Sequence, residues 1–253
     1  MLQADTAVPH LSLGKPADTG DFILARRHRL VVGQAPALGG VLLDFGCGNG
    51  AQTLCFAADF DRILGVDVER PFLAQFAREI AARGLAERIE PLQYDGDRLP
   101  LADESVDAVV SFEVLEHVGD ENVALAEIVR VLRPGGWVAL TVPNRWWIFE
   151  THGARLPLLP WNRVPFFSWL PKAIHDRWAR ARIYRRREIV ALVRDAGLPV
   201  RHSAYVTAPL DVLKWAGVRD VLRRTCFRSD VTRLPFLATA VLVIAVKPEN
   251  RRG

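Results

Sequence analysis

The stretch VLLDFGCGNG, residues 41 to 50, constrains this chain more than any other. Apolar residues on both sides of one aspartate have the length of a buried strand, and the glycines that stop it permit a turn in which backbone approaches a ligand closely. A helix opening after such a turn would present free N–H groups and a positive dipole end, so a ligand with anionic or polar groups is expected there. The turn alone is ambiguous, because Gly46, Gly48 and Ala51 also fit the relaxed dinucleotide fingerprint G-x-G-x-x-A. Two carboxylates shift the balance. Asp44, on the strand before the turn, is placed to attract a cationic amine and would repel a pyrophosphate. Asp67, at the end of RILGVDV, is where a ribose hydroxyl pair is gripped; it supports a nucleoside without deciding which.

Around this turn, short apolar runs alternate with helix-length amphipathic ones, the pattern of an α/β fold with a parallel sheet. The pattern predicts seven strands: VLLDF, RILGVDV, RIEPLQY, VDAVVSF, WVALTVP, LPVRHSAYV and FLATAVLVIAV. Helices are expected over FILARRHRLVV, AQTLCFAADF, RPFLAQFAREIAARG, NVALAEIVRVLRPGG and RREIVALVRDAG. In the fourth of these, Val123, Ala126, Ile128, Val131 and Leu132 are expected to face inward.

Taken in order, LLDFGCGNG, GVDV, YDGDRLPLADESVDAVVSFEVLEHV and EIVRVLRPGGWVALTVPN resemble the successive motifs of class I S-adenosylmethionine-dependent methyltransferases of the small-molecule type, among them the enzymes of ubiquinone biosynthesis. The resemblance covers residues 41 to 143. It implies a Rossmann-like, seven-stranded, mostly parallel sheet with an antiparallel last strand and helices on both faces. It implies S-adenosyl-L-methionine as cofactor, with Gly46, Cys47 and Gly48 passing under its methionine part and Asp44 near its ammonium group. Asp67 would hold the ribose, Val68 the side of the adenine, and Asp95, followed by Gly96, the adenine amino group. Phe112 and Glu113 would form the wall beneath the transferable methyl. By the same resemblance, Arg26 or Arg29 of the leading helix would reach the cofactor carboxylate. An NAD(P)-dependent oxidoreductase and a noncatalytic S-adenosyl-ligand-binding protein are the alternatives; Asp44 and the central block argue against the first.

Residues 144 to 187 stand apart. They hold ten Lys and Arg against two acids, and five of the seven tryptophans, within a chain whose net charge is only +4. We read 1–253 as a single domain: a helical segment 1–40, a cofactor core 41–143, an aromatic and basic lid insert 144–187, and the rest of the sheet, 188–253. Aromatic groups beside arginines favour a small or lipid-like acceptor and peripheral contact with a membrane. A chain basic in one segment is not the footprint of a nucleic-acid binder. Methyl transfer from a sulfonium needs no nucleophilic residue, but a hydroxyl acceptor benefits from a base, and His152 is the choice for it. His117, Asn144, Arg145, Glu150 and His175 are expected around the acceptor. The three cysteines form no disulfide framework and no metal-ligand spacing, which with the absence of a secretory leader or a spanning apolar run points to the cytoplasm, at or near a membrane surface.

Overall fold

A computed structural model describes residues 20–149, 165–211 and 213–249. One eight-stranded sheet organises them, in the order β3-β2-β1-β4-β5-β8-β6-β7. The strands are β1 (Val41–Phe45), β2 (Arg62–Asp67), β3 (Ile89–Gln93), β4 (Val106–Phe112), β5 (Leu132–Pro143), β6 (Val200–Thr207), β7 (Val231–Thr232) and β8 (Ala238–Val246). β1 to β5 pair in parallel, and β8 runs antiparallel between β5 and β6. The chain therefore has the expected mixed α/β architecture with a reversed strand near one edge. The eighth strand is β7, two residues that cover the end of β6 and lie in the polar excursion before β8. Two residues carry no period, which is why the pattern missed it.

Helices α1 (Phe22–Val32) and α2 (Arg70–Ala82) cover one face; α3 (Glu121–Val131) and α5 (Arg186–Asp195) cover the other. The short α4 (Lys172–Trp178) lies in the basic segment, and α6 (Ala216–Arg224) lies between β6 and β7. The buried runs in β1, β2 and β4 fit a parallel sheet covered on both sides. Each fully buried Leu or Val there contributes about 1.5–3 kcal/mol of burial free energy.

Three local expectations change. The inward face of α3 is Ala124, Leu125, Ile128 and Val131, a stripe at three- and four-residue spacing, while Val123 and Ala126 are exposed; Asp120 caps the helix. The segment Arg133-Pro134-Gly135-Gly136 belongs to β5, which starts at Leu132 opposite Val106. After the glycine turn there is only a single 3-10 turn, Thr53–Phe56, in place of a helix. A macrodipole is therefore a weak contributor at this site, and individual N–H groups and side chains must do the recognition.

The turn itself has no spare room. Gly50 sits at φ +78°, and a Cβ there would lie 1.9 Å from Cδ2 of Phe76; Gly46, at φ +80°, would meet Cγ2 of Val114 at 2.3 Å. Gly50→Ala should cost about 3 kcal/mol in urea or thermal unfolding, from a left-handed backbone and a clash with a core ring together. Gly217→Ala, at a helical site with nothing within 4 Å, is the control and should change stability by less than about 1 kcal/mol. Equal effects at the two sites would show that the turn is not sterically closed.

Candidate functional site

The glycine turn hangs from the neighbouring strand. The N–H groups of Gly46 and Cys47 both donate to the Val66 carbonyl, at 2.9 and 3.0 Å. Gly48 N–H donates to Asp67 Oδ2 at 2.7 Å, and Glu69 N–H to Asp67 Oδ1 at 2.9 Å. One carboxylate thus joins the turn after β1 to the start of α2. Asp67 is where the sequence places it, at the carboxyl end of β2, the edge where open α/β sheets bind ligands. Its grip on Gly48 is a structural duty that the motif does not reveal.

Asp44 is buried beneath this turn and accepts a 2.6 Å hydrogen bond from the Thr53 hydroxyl. Burial pushes its carboxyl up to about 7; the Thr53 bond and Arg27 oppose that, and Asp67 adds to it. A cation arriving beside Asp44 would favour its ionised form. Cys47, expected in the cofactor turn, is buried against Gly65, and burial drives its thiol well above the ordinary range, so it is no nucleophile.

At the end of β4, Glu113 holds a left-handed backbone at φ +58°, with its N–H donating to the Thr141 carbonyl and its Oε1 accepting from the Thr141 hydroxyl at 3.2 Å. The same Oε1 lies 3.1 Å from Nη2 of Arg27. Phe112 stacks on Phe56, with centroids 6.1 Å apart, and the Arg27 guanidinium lies 5.5 Å from the Phe112 ring centre. Arg27 Nε is buried with no hydrogen-bond partner among the described residues. These groups bring α1, β1 and β4 to one place.

The arginines named from the sequence do other work. Arg26 is buried and donates to the carbonyls of Thr207, Ala208 and Phe227 and to Asp230. Arg29 makes two bonds to the same Asp230, at 2.9 and 2.8 Å. At 100° per residue Arg26 and Arg27 point to different sides of α1, and only packing says which side faces the turn. Arg27 was missed because three basic residues stand in a row in ARRH.

Asp95 is exposed, and its Oδ1 accepts from the N–H groups of Asp97 and Arg98, which lower its carboxyl below the usual value. Gly96 follows at φ +100° with open space where a Cβ would stand, and Val68 is half-buried.

Three expected acceptor residues are engaged elsewhere. Asn144 donates to the carbonyls of Pro235 and Ala238 and so ties the end of β5 to the start of β8. Arg145 donates to the Leu170 carbonyl, and His175 is buried in α4, with its ring centre 5.1 Å from that of Phe167. Arg145 and His175 thereby hold the basic segment together, while Asn144 joins two strands of the sheet. His117 is close to Glu116, whose carboxyl is fully enclosed and is held well above its usual range by burial and by Glu113. Glu150 and His152 lie outside the described residues. Among the described residues no cluster of three metal-ligating side chains exists. A cavity of about 500 Å³, lined by Trp146, Arg185, Arg186, Arg187 and Tyr205, opens beside the ends of β5 and β6.

Asp44 generates a pH prediction. Its proton is held up to about 7 in the folded chain, against an ordinary value of 3.8, so the folded state binds more protons between those limits. That contribution to stability is complete below pH 4 and is lost as the pH rises through 7. Asp44→Asn should therefore flatten the stability profile of the ligand-free protein between pH 4 and 8 by ~3 kcal/mol, measured by urea unfolding. Parallel profiles for the two proteins would contradict the assignment.

Residues 43–140 match the family model described as a methyltransferase domain. A probable S-adenosylmethionine-dependent methyltransferase of Mycolicibacterium smegmatis is 34% identical over 139 residues, covering 54% of this chain and 51% of that protein. A ubiquinone biosynthesis O-methyltransferase of Thiobacillus denitrificans is 29% identical over 186 residues, 72% of this chain and 74% of the relative. The chain spans about half the length or less of the first of these curated relatives. Among solved structures, geranyl diphosphate C-methyltransferase from Streptomyces coelicolor aligns with a TM-score of 0.61 at 15% identity, over 88% of this chain and 77% of that one, a likeness of fold. A strand-turn-strand unit closed by Asp67, the reversed β8 beside β5, and a matching domain that runs from Leu43 to Leu140 together carry one conclusion: residues 43–140 are a methyltransferase domain, similar to those of class I S-adenosylmethionine-dependent methyltransferases.

Proposed function

We propose that this chain is an enzyme that moves a methyl group from S-adenosyl-L-methionine to an oxygen or carbon of a small or lipid-like acceptor. The observation that carries the reading is the convergence of Asp44, Asp67 and Arg27 on the glycine turn. Their charges complement the three ends of the cofactor: amine to Asp44, sugar hydroxyls to Asp67, carboxylate to Arg27. The partnerless Nε of Arg27 and the open space beside Gly96 are features such a ligand would use.

When bound, the cofactor supplies a methyl on a sulfonium, already a good leaving group. The chain's residues therefore act by holding and orienting. Asp67 accepts from the ribose hydroxyls while its other contacts keep the turn in place. Asp95 accepts from the adenine amine, and Val68 packs beside the ring. Phe112 and Glu113 wall the reacting end, and alignment of the two substrates supplies roughly 7–11 kcal/mol of the acceleration. His152 is our choice of base for a hydroxyl acceptor.

Two observations support the acceptor class. One relative is named for an O-methylation in ubiquinone biosynthesis, and one solved structure of the same fold for the methylation of geranyl diphosphate. The cavity beside β5 and β6 offers two aromatic rings and three guanidiniums, a lining suited to an apolar molecule with an anionic group, such as a quinone precursor, a lipid or a surface glycan.

Calorimetric titration with S-adenosylhomocysteine tests the reading. Asp67→Ala should weaken binding by about 100-fold, the loss of a pair of charged hydrogen bonds. Arg27→Met should weaken it by about 30-fold yet leave 5′-methylthioadenosine, which lacks the carboxylate, unaffected. Binding of NAD in place of S-adenosylhomocysteine, or an equal loss for both ligands in Arg27→Met, would overturn the assignment.

A further inference from the structure

Helix α6 has an amphipathic sequence, yet none of its residues is buried. Its orientation is set by Arg223, which donates to the Pro209 carbonyl and to Asp211; Asp211 in turn accepts from the first two N–H groups of α1. At 100° per residue, Val218 and Val221 lie about 140° and 160° around the helix from Arg223, on the side turned away from α1. They are 47% and 60% exposed, and Trp215 at the helix start is 74% exposed. Leu234 and Phe236, farther along the same excursion, are also about half exposed. Aliphatic side chains in this number on one outer surface indicate a partner.

Charge identifies its kind. Residues 213 to 237 hold six Lys and Arg against two acids, and one of those acids, Asp230, is engaged by Arg26 and Arg29. Lys214, Arg224, Arg228 and Arg233 are exposed. A second copy docked across a two-fold axis would set this basic rim against itself. A nucleic acid would match the charge but leave Val218, Val221 and Leu234 without apolar cover. A tryptophan, aliphatic side chains and a basic rim on one surface helix match the boundary of an anionic bilayer, with the apolar groups among the acyl chains and the cations at the headgroups.

We propose that the outer face of α6, with Trp215, Val218 and Val221 at its centre, docks the protein on anionic membranes. Its place in the fold gives the contact a use. The excursion leaves the sheet between Thr207 of β6 and Ala238 of β8, paired residues at the edge where β5 ends. This is also the edge that carries the glycine turn, since β1 and β4 run parallel to β5. A lipid-like acceptor would reach the reacting edge from the bilayer without crossing the solvent. The docking does not depend on the methyl-transfer reading, and a protein that floats on vesicles while failing to bind S-adenosylhomocysteine would separate the two.

Flotation of the full chain with phosphatidylcholine vesicles, with and without phosphatidylglycerol, is the test. The protein should partition at least about tenfold more strongly to the phosphatidylglycerol vesicles and lose much of that preference in high salt. Replacing Trp215, Val218 and Val221 with serine should lower partitioning by about tenfold or more. Arg224→Glu with Arg228→Glu, at exposed sites outside the core, should remove the preference for the anionic lipid without altering affinity for S-adenosylhomocysteine. Failure to float on either vesicle would overturn the proposal, as would equal flotation of wild type and the serine variant. A wild-type dimer that the serine variant dissolves, or an RNA oligonucleotide that binds where vesicles do not, would assign the face to that partner instead.

Discussion

Everything at the candidate site depends on how closely two strand ends approach. The turn after β1 hangs from the Val66 carbonyl and is locked by the Asp67 carboxylate, and the space left between Phe76 and Val114 admits hydrogen atoms only at Gly50 and Gly46. Sterics set this geometry and one charged hydrogen bond holds it. A carboxylate that both shapes the turn and faces the ligand edge couples recognition to stability, so the site is preorganised by the residue that uses it.

Around that turn the charges are arranged by burial. Asp44 and Glu116 lie in enclosed positions that favour their protonated forms, and Glu113 faces Arg27 in a strained backbone held by Thr141. A cationic ligand group would draw Asp44 into its ionised form, and an anionic one would meet the Arg27 guanidinium. A ligand of uniform charge, such as a pyrophosphate, would match only one of the two. This electrostatic division separates a sulfonium amino acid nucleoside from a dinucleotide more sharply than the glycine pattern does.

The other half of the molecule is held by α1. Arg26 gathers three carbonyls from the segments after β6 and before β7, Asp230 bridges Arg26 and Arg29, and Asp211 closes the helix start. Burial lowers the Arg26 guanidinium from its ordinary value while Asp230 opposes that effect, as expected for a structural cation satisfied on several sides. The excursion carrying α6 is therefore fastened from within by arginines, while its outer aliphatic face is left to a partner.

The amino-acid order by itself determined the sheet strands β1, β2, β4 and β8, the glycine turn, both aspartates and the likeness to a methyltransferase domain, because these rest on local periodicity, steric demands of glycine and residue types at short spacing. The reversed strand was legible only through the resemblance. Only the tertiary structure decided that Arg27 and not Arg26 faces the turn, that Asn144 ties β5 to β8 while Arg145 and His175 brace the basic segment, and that α6 leaves Val218 and Val221 outside. Each of these turns on which side of an element meets a neighbour distant in sequence, and a run such as ARRH or RRRE presents cations in every direction until packing selects one.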